Sequence, residues 1–182
     1  MNRRALATWA SHTAGIAALL FMTSCNTPPA ATPEFVGVSH WTMFDRGVDP
    51  AHEDDPTGHA YVWIDRLPPH GATEFPVGTH IVRAMGEGED PSAWVAHGIV
   101  KVGGDFNAAG AVGWEYYGLT GARDATGDLY FTTDWHGDGP PDGTGYAPVT
   151  PDAGPVLGCN HCHGVATWND SILGPELMLS DL

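Results

Sequence analysis

The stretch AWVAHGIVKV, residues 93–102, decides the class of fold that the sequence predicts. Its apolar residues are separated by two or four positions, so they lie on one face if the segment is extended: Trp94, Ala96, Val100 and Val102. Aromatic and β-branched residues favour strands, and the run has no helical period. We therefore interpret this segment as a long strand with one apolar face.

Four further runs have the same character, and turn signals rich in Gly, Asp and Pro separate them. They are AYVWID at 60–65, THIVRAM at 79–85, VGWEYYGL at 112–119 and LYFTTDW at 129–135. The three apolar residues of the last run, Leu129, Phe131 and Trp135, are expected on one side. The predicted fold class is mainly β (α+β), an antiparallel sheet of about five strands with a few short helices. SHWTMFDRG, residues 39–47, is interpreted as one of these short helices.

The first 24 residues have the pattern of an export signal rather than of a folded element. MNRR is a basic start, AGIAALLFM is an apolar run too short to span a bilayer, and small residues precede Cys25. This end is typical of a bacterial lipobox and predicts lipidation of Cys25, although Met22 stands where Leu is usual. We expect a signal peptide at 1–24, a lipid-anchor tether at 25–38 and one folded domain at 39–182.

The charge balance limits the partners that the exported chain is expected to have. The chain has 7 basic and 22 acidic residues, a formal charge of −15, and cleavage after residue 24 would remove Arg3 and Arg4 and give −17. Such a surface argues against nucleic acid and anionic lipid as partners. The expected location is the bacterial periplasm or cell envelope, with the membrane reached only through the lipid on Cys25.

The late motif GCNHCHG, residues 158–164, carries the chemistry that the sequence predicts. Once Cys25 is assigned to lipid, Cys159 and Cys162 are the remaining cysteines, so one local event must explain both. C-x-x-C-H on a helical turn attaches one haem c through two thioethers, and His163 is then the proximal ligand of the iron. Export favours this interpretation, because such attachment is made outside the cytoplasm.

Three other chemistries remain open for the same pair of thiols. A zinc site needs two more ligands, and His161 and His163 lie too close in sequence for the usual paired spacing. A thioredoxin-like dithiol follows a strand and opens a helix, whereas the Gly- and Pro-rich segment 136–158 precedes Cys159. A plain disulfide leaves His163 without a role. With zinc or a disulfide, the chain would be a binding or structural lipoprotein.

The late position of the motif separates two kinds of haem protein. Small electron-transfer cytochromes carry C-x-x-C-H near the N-terminus and supply a Met ligand later in the chain. Here 19 residues follow His163, and Met178 is the only Met among them. The favoured prediction is an open distal site that binds small molecules. The alternative is a periplasmic electron carrier in which Met178 or a histidine fills the sixth position and the acidic surface docks a basic redox partner.

A run of strands followed by a late C-x-x-C-H resembles the cytochrome P-460 family, which includes the cytochromes c′-beta. The resemblance lies in FPVGTHIVRAM at 75–85, GWEYYGL at 113–119 and CNHCHG at 159–164. It implies a mono-haem, mostly antiparallel β protein of the periplasm, often a homodimer. Members of the family either oxidise hydroxylamine or bind nitric oxide or carbon monoxide at an apolar distal site.

The resemblance also implies candidate site residues on the strand that follows Gly78. The hydroxylamine-oxidising members cross-link their haem to a lysine five positions after this glycine, where the chain has Arg83. Arginine stays protonated and is a poor nucleophile, so the resemblance leaves hydroxylamine oxidation an open question. Ile81, Arg83 and Met85 are expected on one face and, with Phe75, are candidates for the distal pocket. Arg83 is also the candidate for a catalytic or propionate-binding role.

Three further residues are assigned from the strand patterns. His97 and Lys101 share one face of the strand at 93–102 and either reach the same pocket or face solvent. Trp114 is expected in the hydrophobic core.

Overall fold

Extended segments form most of the folded chain, as the alternating patterns predict. The computed structural model describes residues 35–49, 58–136, 139–140, 143, 145–146 and 158–182. Within these residues six strands pair in chain order into one antiparallel sheet, and one short helix and a few 3-10 turns accompany it. The strands are β1 (Thr42–Asp49), β2 (Gly58–Ile64), β3 (His80–Gly86), β4 (Val95–Lys101), β5 (Trp114–Arg123) and β6 (Leu129–His136), and the helix is α1 (Cys159–His163).

Strand β1 corrects the expectation of a short helix at 39–47 and of a five-stranded sheet. A single 3-10 turn, Val38–His40, precedes it, and the rest of the segment pairs antiparallel with β2 at the edge of the sheet. A bulge lies between Asp45 and Gly47. An edge strand with a bulge loses strict alternation and has many exposed side chains, so its period-2 signal is weak. The observed class is mainly β.

The sheet has two apolar faces, and each has its own core. One face, which we call the front face, carries an aligned row of residues across β2 to β5: Ile64, Ile81, Ile99 and Tyr116. Helix α1 and the tail 166–182 pack on this face. The front-face core comprises Val62, Ile64, Phe75, Ile81, Ile99, Ala111, Trp114, Tyr116, Tyr146, Ile172, Leu177 and Leu179. The back-face core comprises Phe35, Val38, Trp63, Val82, Ala84, Ala96, Val100, Tyr117, Leu119, Leu129 and Phe131.

The folded domain includes residues that the sequence assigns to the tether. Phe35 and Val38 are fully buried in the back-face core, and the ring of Phe35 meets that of Tyr117 edge-on with centroids 5.2 Å apart. Burying a side chain of this size contributes about 1.5–3 kcal/mol, enough to hold the segment in place. The predicted signal peptide at 1–24 and Cys25 lie outside the described residues. No helix in the described part of the chain is long and apolar enough to cross a membrane.

A bulge in β6 overturns the expectation that the three apolar residues of LYFTTDW share one side. Leu119 pairs with Thr133, but the preceding Gly118 pairs with Trp135, so β6 contains one extra residue at this point. Because side chains alternate along a strand, the extra residue turns Trp135 to the front face, while the other two stay in the back-face core. Trp135 then covers Gly118, where a Cβ would lie 2.0 Å from the indole Nε1.

We expect Gly118→Ala to destabilise the protein, because the added methyl group would overlap the indole of Trp135. Overpacking of this kind costs about 1–3 kcal/mol of unfolding free energy, which urea denaturation would measure. The matched control is the same substitution in a Trp135→Ala background, where the methyl group has room. Equal costs in the two backgrounds would contradict the proposed packing.

Candidate functional site

Helix α1 brings the two cysteines and His163 to the front face of the sheet. The helix is one turn long and ends at His163. At its C-terminus the backbone N–H of Gly164 donates to the carbonyl of Asn160 at 2.9 Å. Cys159 is half-buried against the front-face core, and Cys162 is exposed. Their sulfurs are not joined in a disulfide. The C-terminal helical turn that the motif predicts is therefore present.

Asn160, between the two cysteines, anchors α1 to the sheet. Its Oδ1 accepts hydrogen bonds from Asn107 Nδ2 at 2.7 Å, from the Tyr116 hydroxyl at 2.8 Å and from the N–H of Ala111 at 3.2 Å. Its Nδ2 donates to Asn107 Oδ1 and to the carbonyl of Tyr146, both at 2.9 Å. The side chain is fully buried and every polar atom of its amide has a partner, as burial requires. In the sequence Asn160 occupies a variable position of C-x-x-C-H, so the motif alone gives no sign of this anchoring role.

Two glycines leave space for this anchor and for the first thiol. A Cβ at Gly110 would lie 2.0 Å from Cγ of Asn160, so a larger residue there would displace the amide. Gly145 has a φ of +85°, which favours glycine, and a Cβ there would lie 2.8 Å from Sγ of Cys159. The loops that carry these glycines therefore accommodate α1 closely.

The imidazole of His163 has a defined orientation. Its Nδ1 lies 2.7 Å from the carbonyl oxygen of Ser171, which can only accept, so Nδ1 carries the proton and donates. Nε2 is then the nitrogen left to bind a metal ion. Desolvation lowers the pKa of His163; the hydrogen bond to Ser171 opposes this effect, and the nearby His97 and Arg83 reinforce it. The site thus favours the neutral imidazole, the form that ligates iron.

The turn that presents the Ser171 carbonyl has an unusual backbone. Asp170 and Ser171 have φ values of 49° and 66°, in the left-handed region that costs a non-glycine residue about 1–2 kcal/mol. Both carboxylate oxygens and the backbone carbonyl oxygen of Asp170 accept hydrogen bonds. Lys101 Nζ donates to Oδ1 at 2.5 Å, the N–H of Phe75 to Oδ2 at 2.9 Å, and Trp114 Nε1 to the backbone carbonyl at 2.7 Å.

A row of side chains crosses the front face near His163. Arg83 on β3 lies opposite His97 on β4, His97 lies opposite Gly118 on β5, and Gly118 lies opposite Trp135 on β6. Arg83 is half-buried, and His97 is exposed although β4 is an interior strand. Both residues lie close enough to His163 to lower the pKa of its imidazole. A polar patch with one arginine, one histidine and an aromatic edge therefore lies beside the candidate proximal ligand.

The structure separates the four candidates for the distal pocket. Ile81, Arg83 and Met85 share the front face of β3, as alternation predicts. Ile81 and Met85 are buried, and Arg83 Nη2 lies 4.0 Å from the sulfur of Met85. Phe75 is buried against Trp114, with ring centroids 5.8 Å apart, and belongs to the front-face core. Arg83 is thus the one of the four whose side chain is not fully buried.

The remaining candidate residues lie in different environments, outside the row through Arg83 and His97. Lys101 neither faces solvent nor lies in the row with His97; it is buried in an ion pair with Asp170. The expectation that Trp114 lies in the core is confirmed. Met178 is half-buried in the tail, and His161 is exposed on α1.

The surroundings of the thiols bear on two of the three non-haem chemistries. Burial raises the pKa of the Cys159 thiol to about 11, whereas a reactive dithiol needs a lowered thiol pKa. Among the residues that the structure describes, no group of three or more His, Cys, Asp or Glu side chains could hold a metal ion. A structural zinc site needs four ligands, so these residues do not supply one.

Comparison of the chain with models of known families, with curated proteins and with solved structures finds no match. The resemblance to the cytochrome P-460 family therefore stays a prediction from the quoted motifs. A function for the chain depends on the C-x-x-C-H motif and on the geometry around it.

We expect Asn160→Ala to destabilise the protein strongly, because it leaves Asn107 and Tyr116 buried without their partner. An unsatisfied buried polar group costs about 1–3 kcal/mol, so the unfolding free energy should fall by about 3 kcal/mol or more. His161→Ala on the exposed side of the same helix is the matched control and should change it by less than about 0.5 kcal/mol. A loss below about 1 kcal/mol for Asn160→Ala, measured by urea denaturation, would refute the anchoring role.

Proposed function

We propose that this chain is an exported mono-haem c-type protein. Cys159 and Cys162 attach one haem through thioethers, and His163 is the proximal ligand of its iron. The observation that carries the proposal is the hydrogen bond from His163 Nδ1 to the carbonyl of Ser171 at 2.7 Å, within a C-x-x-C-H helix. Metal-ligating histidines characteristically donate their other ring N–H to a carbonyl or carboxylate, which fixes the tautomer and the ring orientation.

The residues present fit such a group chemically. Two thiols three positions apart lie on one turn of helix beside the proposed ligand, and they are not consumed by a disulfide. The pattern of residues 1–24 supports the proposal independently, because thioether attachment is made outside the cytoplasm. The proposed location is the periplasm or cell envelope, with a lipid on Cys25 as the anchor.

The proposed activity is the binding of small ligands such as nitric oxide or other nitrogen oxides. When bound, a haem with a single protein ligand supplies an iron position at which a diatomic molecule coordinates. The fold of the tail supports a distal position that Met178 does not fill. Asn169 Nδ2 donates to the carbonyl of Leu177 at 3.1 Å, and the N–H of Leu179 donates to Asn169 Oδ1 at 2.8 Å. These bonds tie both neighbours of Met178 to the turn that contacts His163, on the proximal side.

Arg83 and His97 are the proposed polar groups near the ligand or the haem propionates. The Arg83 guanidinium would donate hydrogen bonds and offset negative charge, and the His97 imidazole would donate a further hydrogen bond. Arg83 stands where the resemblance places a cross-linking lysine, and its guanidinium stays protonated. The proposal therefore includes an ordinary c-type haem without a cross-link to this strand.

Expression of the full chain with a c-type haem assembly system tests the proposal. We expect a coloured protein with one haem per chain that stays attached on denaturation. The ferrous absorption spectrum should shift on addition of carbon monoxide, because the distal position is open.

The controls distinguish this function from its rivals. Cys159→Ala combined with Cys162→Ala should abolish covalent attachment, whereas His161→Ala should leave it intact. A colourless protein with two titratable thiols at these positions would refute the haem proposal. A spectrum that carbon monoxide shifts only in a Met178→Leu variant would instead identify Met178 as the sixth ligand of an electron carrier.

We expect Arg83→Gln to lower the reduction potential of the iron, since a nearby positive charge favours the ferrous state. A unit charge several ångströms away in a partly solvated site shifts the potential by roughly tens of millivolts. Arg66→Gln, at an exposed arginine of the loop after β2, is the charge-matched control and should have a much smaller effect. A strongly red-shifted ferrous Soret band in the wild-type protein would contradict the assignment of Arg83, because it would indicate a cross-link.

A further inference from the structure

We propose that the buried ion pair of Lys101 and Asp170 is a positioning device that sets the hydrogen bond from His163 to Ser171, and through it the properties of the iron. The inference rests on the proposed function, because it assigns a role toward the proximal ligand. Lys101 lies at the end of β4 and Asp170 in the tail, and neither is among the residues proposed to hold the haem. Both are positioning residues rather than catalytic residues.

The ion pair of Lys101 and Asp170 is almost completely buried. The side chains of Lys101 and Asp170 are 5% and 10% exposed. Lys101 Nζ also donates to the carbonyl of Val112 at 3.2 Å and lies 5.0 Å from the ring centroid of Trp114. Burying two charges requires a desolvation cost that their attraction often only offsets, so a buried pair is weak support for a purely stabilising role. Its other effect is to hold one geometry.

The geometry that it holds is the strained turn beside the proximal histidine. The three oxygens of Asp170 bind groups from three separate segments: Lys101 at the end of β4, Phe75 in a loop, and Trp114 at the start of β5. With these contacts in place, Asp170 and Ser171 keep left-handed backbone angles that they would not adopt alone. The carbonyl of Ser171 follows directly from this backbone, so its direction toward His163 depends on these three contacts, of which the ion pair is one.

The consequence at the iron is a change in the donor strength of the imidazole. A hydrogen bond at Nδ1 raises the basicity of the ligating nitrogen and fixes the plane of the ring. When the turn relaxes, the hydrogen bond from His163 to Ser171 weakens and the iron–histidine bond weakens with it. Loss of either charge should therefore act on the iron–histidine bond in the same direction.

Two single variants separate positioning from simple electrostatics. Asp170→Asn removes one negative charge from the chain and Lys101→Met removes one positive charge, so a purely electrostatic effect moves the reduction potential in opposite directions. If the pair positions the turn, both variants lower the iron–histidine stretching frequency in resonance Raman spectra of the ferrous protein. The double variant Lys101→Met with Asp170→Asn leaves the net charge unchanged and should still show the lowered frequency and a raised potential. It also keeps the test open if a single variant fails to fold.

The ion pair between Arg46 and Glu176 supplies the matched control, since it joins the same tail to β1 with 3.5 Å between its charged atoms. The double variant Arg46→Met with Glu176→Gln should leave the iron–histidine frequency unchanged. If haem attaches and the frequency is the same in the wild type and all three Lys101 and Asp170 variants, the positioning role is refuted while the proposed function stands. If the wild type takes up no haem, the proposed function fails, and NMR of the His163 ring nitrogens decides the positioning role. The Nδ1–H tautomer should then dominate in the wild type and lose population in the Lys101→Met, Asp170→Asn variant.

Discussion

The buried amide of Asn160 is the contact on which the placement of the C-x-x-C-H helix depends. A helix of one turn has too few backbone hydrogen bonds to be stable alone, so tertiary contacts must hold it. Asn160 provides them by joining the 104–113 loop, β5 and Tyr146 through a single side chain. A buried amide is costly when any of its hydrogen-bonding partners is lost. The helix is therefore held in one position on the sheet rather than in several.

A second polar centre, Asp170, holds the other side of the same site. Asn160 fixes the helix on which His163 lies, and Asp170 fixes the turn whose carbonyl accepts the hydrogen bond from the imidazole N–H. The two networks share β5, since Tyr116 bonds to one and Trp114 to the other. Buried polar groups and left-handed backbone angles are costly, and in this protein they cluster around one histidine. That concentration is what the proposed role of His163 rests on.

In contrast to these buried networks, the front face of the sheet presents an accessible row of side chains next to a rigid core. Its interior strands bury the isoleucines of the front face, while the row through Arg83 and His97 keeps polar groups within reach of His163. The bulge of β6 completes the row by turning Trp135 onto this face. The proposed haem function would use both features, since the core holds the His163 side of the site and Arg83 and His97 lie within reach of it.

The sequence by itself determined five of the six strands and the helical turn of the motif, because alternation and C-x-x-C-H spacing are properties of consecutive residues. It did not determine β1, whose edge position weakens the alternation, or the side on which Trp135 lies, since one extra residue in β6 reverses it. Only the tertiary structure decided that Phe75 lies in the core, that Lys101 pairs with Asp170 and that Asn160 is an anchor. The partners in these last two contacts are 69 and 53 residues apart, and no local pattern links residues that meet only when the strands take their register.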